Sequence, residues 1–181
     1  TQKLRFDFSH SRPVEAETLK IVEHEVNEQI RGNTEVVTQL MQPEDAIKAG
    51  AMALFGEKYG EEVRVVSMGK YEADAPKARY STELCGGTHV SRTGDIGIFR
   101  LISEGAVASG VRRIEATTAK GAIEYFNSKE EILNLTALYL KSTHEQLPDR
   151  VSNLLEDKKK LENEISELRR KLACAKFDDI E

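Results

Sequence analysis

The repeat of hydrophobic and polar positions changes several times along the chain, and each repeat names an element. Leu4, Phe6 and Phe8 alternate with Arg5, Asp7 and Ser9, the two-residue period of a half-buried strand. Pro13 opens a helix whose apolar positions Leu19, Val22, Val26 and Ile30 step by three and four, with Gly32 as its stop. Glu35 to Leu40 reads as a short strand. Pro43 opens a second helix through Ala46, Ile47, Ala49 and Ala53, closing near Gly56. Val63 to Met68 is a β-branched strand, Tyr71 to Lys77 a loop, and Tyr80 to Leu84 the approach to a Cys-Gly-Gly-Thr-His turn. Ile98 to Ser103 and Val111 to Thr118 read as strands joined by a Gly/Ala-rich connection, and Gly121 to Lys141 as a helix. No regular βαβ repeat emerges. The expected class is therefore α+β: a mixed, largely antiparallel sheet with packed helices, followed by a long C-terminal coiled-coil-like helix.

That last helix has its own rhythm. Leu147, Val151, Leu154, Leu161, Ile165, Leu168 and Leu172 follow a 4-3 spacing, with Lys158 at one seam position. A seam repeating every 3.5 residues is the pattern of a coiled coil. It predicts one helix from about Pro148 to Ala173, packed on a partner helix or on a second copy; the bland alternative is an amphipathic helix lying on its own domain. Thr143 to Gln146 reads as a capping box that includes His144. Three segments result: a globular part at 1–120, a connecting helix at 121–145 and a truncated coiled-coil-like segment at 146–181.

Composition narrows the classes. The 181 residues are 39% hydrophobic and 31% charged, enough for one core with an appendage. The net charge of -5 argues against a whole-surface grip on nucleic acid and against DNA as a partner, leaving room for a local basic patch. Lys158, Lys159 and Lys160 read as a solvated helix face. No apolar run approaches the ~20 residues of a membrane span, and no leader peptide is evident, so a cytoplasmic location is expected. Two distant cysteines, Cys85 and Cys174, make no disulfide framework.

The chemistry concentrates in Leu84-Cys85-Gly86-Gly87-Thr88-His89-Val90. Cys85 and His89 are both good zinc ligands, and the two glycines let backbone N–H groups approach a ligand. Three readings stand side by side: half of a metal site, a Cys85 nucleophile with His89 as its base, or an inert thiol beside an uninvolved histidine. His10 follows the first strand, and His24, between Glu23 and Glu25, reads as a solvated helix residue. Neither has ligand spacing with another histidine.

Five blocks in order carry a resemblance. They are Leu4-Arg5-Phe6-Asp7-Phe8-Ser9-His10; Gly56-Glu57-Lys58-Tyr59-Gly60 with Val63-Arg64-Val65-Val66; Glu83-Leu84-Cys85-Gly86-Gly87-Thr88-His89-Val90; Arg92-Thr93-Gly94-Asp95-Ile96-Gly97; and Gly110-Val111-Arg112-Arg113-Ile114-Glu115-Ala116. From about Lys3 to Ala173 the chain resembles the editing region of alanyl-tRNA synthetases and the start of the helical region that follows. The resemblance implies an α+β fold with a central antiparallel sheet. It implies an aminoacyl-tRNA hydrolase that clears serine or glycine wrongly esterified to tRNA(Ala), within a ligase that charges that tRNA with alanine. The partner it implies is the tRNA(Ala) acceptor end.

The same resemblance assigns roles. Cys85 and His89 would be two of four Zn²⁺ ligands, the other pair being a His-x-x-x-His from a helix upstream of Thr1. ATP and Mg²⁺ would serve only an aminoacylation region outside this chain. Gly86, Gly87 and Thr88 would border the ester, with N–H groups for an oxyanion. Arg112 and Arg113 sit next to each other on a strand and so face opposite ways; one would meet tRNA phosphates and the other pair inside with Glu115 or Asp95. The chain is expected to be a fragment with an incomplete zinc site. The competing functions are a non-catalytic helical dimerisation piece and a free-standing trans-editing protein.

Overall fold

The computed structural model describes residues 3–52, 61–70 and 79–178, with side chains described as far as 173. It divides into two compact units, Thr1–Glu124 and Tyr125–Glu181. The class is α+β, as expected, but the strands among the described residues form two three-stranded antiparallel sheets instead of one central sheet.

The first sheet orders its strands β1-β6-β5, where β1 is Leu4–Ser9, β5 Phe99–Ala108 and β6 Val111–Thr118. The Gly/Ala-rich stretch expected to be a connection is instead the second half of β5. Gly110, at φ +72, turns the chain, and Ala108 pairs with Val111 across the turn. Hairpin pairing with β6 overrides the weak strand preference of glycine and alanine. Strand β1 departs from its half-buried expectation: Leu4 is 50% and Phe6 58% exposed.

The second sheet orders β2 (Val37–Met41), β3 (Val63–Met68) and β4 (Ser81–Leu84). Val63, Val65 and Leu84 share one of its faces and bury against Ala46 and Ala51, with Met41 packed alongside. Ala46 lies on helix α2, Pro43–Lys48. This helix ends well before Gly56, and Ala53 to Gly60 lie outside the described residues. Its stop is a Schellman motif: Gly50 takes φ +86, its N–H bonds the Ile47 carbonyl at 3.0 Å, and the Ala51 N–H bonds the Ala46 carbonyl at 3.0 Å. The loop expected at Tyr71 to Lys77 also lies outside the described residues.

Helix α1 spans Ala16–Arg31, three residues later than the proline predicted. Gly32 remains right-handed at φ -59, and Asn33, at φ 45, supplies the left-handed residue that stops the helix. Helix α3 is Ala119–Leu140 and α4 is Leu147–Asp178. The 32 residues of α4 make it about 48 Å long at the standard rise. The Gln146 N–H donates to the Thr143 carbonyl at 3.2 Å in the turn before α4, and the Glu145 carboxylate is held below its ordinary pKa by its own backbone N–H and by the Thr143 side chain. No helix among the described residues is long and apolar enough to cross a membrane.

Candidate active site

Strand β4 is an edge of the second sheet, and Cys85 is the first residue beyond it. The Cys85 N–H donates to the Arg64 carbonyl at 3.0 Å, which extends the β3–β4 ladder by one bond and fixes the start of the turn. The far end of the turn is fixed as firmly. Val36 N–H bonds the Ser91 carbonyl at 2.9 Å, and Thr93 N–H bonds the Thr34 carbonyl at 2.9 Å. The buried Thr93 hydroxyl donates to the Gln29 carbonyl at 2.8 Å and accepts from the Thr34 N–H at 2.9 Å. Arg92 grips Asn33 through its side-chain oxygen at 3.1 Å and through its carbonyl. Gly94 is required there, because a Cβ would come within 2.5 Å of Asn33 Oδ1. The exposed stretch Gly86–Val90 is therefore held between the sheet and the end of α1.

Within the turn, a Cβ placed on Gly87 would lie 3.5 Å from Cys85 Sγ and 3.9 Å from His89 Nε2. The thiol and the imidazole thus flank one small space beside Gly87, in which a Cβ would already touch both. Cys85 is a free thiol, half-buried, and His89 is exposed. This donor pair, soft sulfur with imidazole nitrogen, suits Zn²⁺. Among the described residues no group of three or more His, Cys, Asp and Glu comes together. Gly86 differs from Gly87: a Cβ there meets nothing within 4 Å. Neither glycine has positive φ, so neither stands there to supply a left-handed backbone. Thr88 is exposed, with its backbone free of regular structure.

Arg112 and Arg113 pair with carboxylates other than those expected. Arg112 forms a two-point pair with Glu104 on the neighbouring strand β5, its Nη2 at 2.6 Å from Glu104 Oε2, with side-chain exposures of 12% and 7%. Arg113 takes the other face and pairs with Asp7, at 2.7 and 2.8 Å. Glu115 instead bonds Lys3 at 3.1 Å, and Asp95 accepts from the Arg92 N–H at 2.9 Å. Each partnership holds a carboxylate below its ordinary pKa: Glu104 through Arg112, Asp7 through Arg113, and Glu115 through Lys3. His10 stacks on Phe8 with ring centroids 6.3 Å apart, and His24 sits exposed beside Glu28 at 3.6 Å.

Sequence reasoning missed the tethers. Asn33, Thr34 and Thr93 carry no chemical signature, and only the Arg92-Thr93-Gly94-Asp95 block hinted at them. Arg64 was visible only as part of a strand.

Comparison with known proteins follows the same residues. Residues 63–115 match the family described as the threonyl and alanyl tRNA synthetase second additional domain. Over 174 residues, 96% of its length, the chain is 54% identical to the alanine–tRNA ligase of Parvibaculum lavamentivorans. It is 54% identical over 171 residues to that of Paramagnetospirillum magneticum, and 52% identical over 171 residues to that of Rhizorhabdus wittichii, 94% of the chain in each case. It spans only 18–19% of these relatives' own length.

Proposed function

We propose that this chain, whose residues 63–115 match the second additional domain of threonyl and alanyl tRNA synthetases, is the editing region of an alanine–tRNA ligase. Its reaction is hydrolysis of the ester in Ser-tRNA(Ala) and Gly-tRNA(Ala). The observation that carries this reading is the convergence of Cys85 Sγ and His89 Nε2 beside Gly87, in a chain that matches alanine–tRNA ligases over nearly its whole length.

The chemistry explains why such a site is needed. Alanine differs from glycine by one methyl and from serine by one hydroxyl. An apolar pocket separates such neighbours by only ~1–3 kcal/mol, or roughly 10–200-fold, so a second, hydrolytic sieve is required. Cys85 and His89 would hold Zn²⁺ together with ligands from elsewhere in the longer protein. When bound, the metal supplies a Lewis acid that activates water or polarises and orients the substrate. The chain's own residues do the rest. The open space at Gly87 admits the ester, and the exposed N–H groups of Gly86, Gly87 and Thr88 are available to the oxyanion. The anchors at Arg64, Thr34 and Thr93 keep those donors from relaxing away. The tRNA(Ala) acceptor end is the macromolecular partner. Arg112 and Arg113 are committed to carboxylates and support the sheet more directly than they would grip phosphate.

Deacylation of Ser-tRNA(Ala), measured for the full-length ligase with and without Cys85→Ala, is the direct test. Equal rates would sink the reading.

A second role rests on α4. Its apolar residues Val151, Leu154, Leu161, Ile165, Leu168 and Leu172 are all exposed, and in 4-3 spacing they fit a coiled-coil partner, including a second copy of this helix.

A further inference from the structure

We propose that Arg64 is a positioning residue of the Cys85–His89 site and that it holds a phosphodiester oxygen of the RNA acceptor end. The inference rests on the hydrolase reading and goes beyond it by naming a residue outside the Cys-Gly-Gly-Thr-His turn.

Arg64 is the second residue of β3. Val65 pairs with Leu84, and the Cys85 N–H donates to the Arg64 carbonyl, so Arg64 and Cys85 stand opposite each other at the end of the ladder. Directly opposed residues leave an antiparallel pair on the same face, with Cβ atoms about 4.5–5.5 Å apart. The guanidinium stem therefore rises beside the thiol.

This arginine differs from its neighbours in one respect. Arg100 pairs with Glu23, Arg112 with Glu104 and Arg113 with Asp7. Arg64 Nε, like Arg100 Nε, is shut off from solvent without a hydrogen-bond partner, but where Arg100 has Glu23, no carboxylate among the described residues pairs with the Arg64 side chain. Glu83, on the same face of β4, accepts instead from the Ser81 hydroxyl at 2.7 Å. A guanidinium kept partly dry with no counter-ion is costly, because water has been removed and nothing replaces it. The residue as a whole is only half-buried, so an anion can reach its head from outside.

The proposed substrate offers one anion near its reacting end. The aminoacyl ammonium is repelled by arginine and the ester is neutral, whereas a phosphodiester presents two oxygens that match the planar fork. Such a contact exists in the ground state and the transition state alike, so its loss raises KM and leaves kcat in place.

The test uses the full-length ligase with Arg64→Gln and Arg64→Lys, after thermal melts establish that each folds. Steady-state deacylation of Ser-tRNA(Ala) should show KM raised about tenfold or more in Arg64→Gln with kcat unchanged, the loss of one charge-assisted contact. Arg64→Lys, which keeps the charge but loses the fork, should fall between. If Arg64→Gln does not fold, the lysine variant carries the test. Binding of an uncharged acceptor-stem minihelix should lose about one unit of salt slope in Arg64→Gln, while zinc content stays at the wild-type level. An unchanged KM, a loss confined to kcat, or a loss of zinc would overturn the assignment. A wild-type enzyme that fails to deacylate Ser-tRNA(Ala) would defeat the hydrolase reading instead, and the minihelix salt slopes would still judge Arg64.

Discussion

Asn27 gives Phe99 the pair of hydrogen bonds that a neighbouring strand would otherwise supply. Its Nδ2 donates to the Phe99 carbonyl and its Oδ1 accepts the Phe99 N–H, both at 2.9 Å. One turn earlier, Glu23 accepts the Leu101 N–H at 2.7 Å and the Arg100 guanidinium at 2.5 Å. Helix α1 thus closes the outer edge of β5, which has no strand partner on that side among the described residues. Asn27→Ala should lower stability by about 1–3 kcal/mol, the cost of leaving a backbone donor and acceptor unpaired. Asn27→Asp should also destabilise, since it faces the Phe99 carbonyl with a second acceptor. Urea unfolding of the three proteins checks both, and an alanine variant as stable as wild type would show that water replaces the amide.

The two glycines of the turn should separate in function. Gly87→Val fills the space between Cys85 Sγ and His89 Nε2, so zinc affinity and deacylation should fall on the order of tenfold or more, with little change in melting temperature. Gly86→Ala, whose Cβ enters open space, should be close to neutral in both. Zinc titration and deacylation kinetics of the full-length variants read the difference. Equal damage at both positions would mean that the turn needs flexibility and not room.

Acid should weaken the first sheet. Glu104, Asp7 and Glu115 titrate below their ordinary values through Arg112, Arg113 and Lys3. Each folded pKa lies below its unfolded one, so the unfolded chain takes up protons first. The contribution is complete above the ordinary carboxylate range of about 4 and is lost as pH falls through the depressed folded values. Melting temperature should therefore be level near neutrality and fall below about pH 4. Glu104→Gln should melt lower than wild type at neutral pH, with the gap narrowing in acid. A gap independent of pH would assign the loss to packing.

The α4 stripe should show itself as concentration dependence. Val151, Leu154, Leu161, Ile165, Leu168 and Leu172 are between 43% and 64% exposed, so helicity and sedimentation should both rise with protein concentration. Leu161→Glu should abolish the rise. Lys158 stands in the seam and pairs with Glu162 along the helix at 3.6 Å, so Lys158→Leu should strengthen association. A monomer at every concentration, in both variants and wild type, would leave the stripe without a self-partner.

Much of this was legible in the order of residues alone. The 4-3 spacing of leucines announces α4 because helix geometry puts every third and fourth residue on one side. The β-branched run Val63-Arg64-Val65-Val66 announces β3, and Cys85 with His89 marks the turn as the place to look for chemistry, with a metal site, a nucleophile pair and an inert thiol all open on sequence alone. Tertiary structure decided what depends on partners distant in sequence. The stretch after Ser103 is a strand because β6 lies beside it, although its glycine and alanines prefer otherwise. Arg112 and Arg113 face opposite ways, as alternation requires, yet Glu104 and Asp7 became their counter-ions through strand register, which no local pattern encodes. Gly87 lies where a side chain would touch both Cys85 Sγ and His89 Nε2, and Arg64 Nε lies where no acceptor reaches it. Both are properties of the space around a residue, which exists only once the chain has folded.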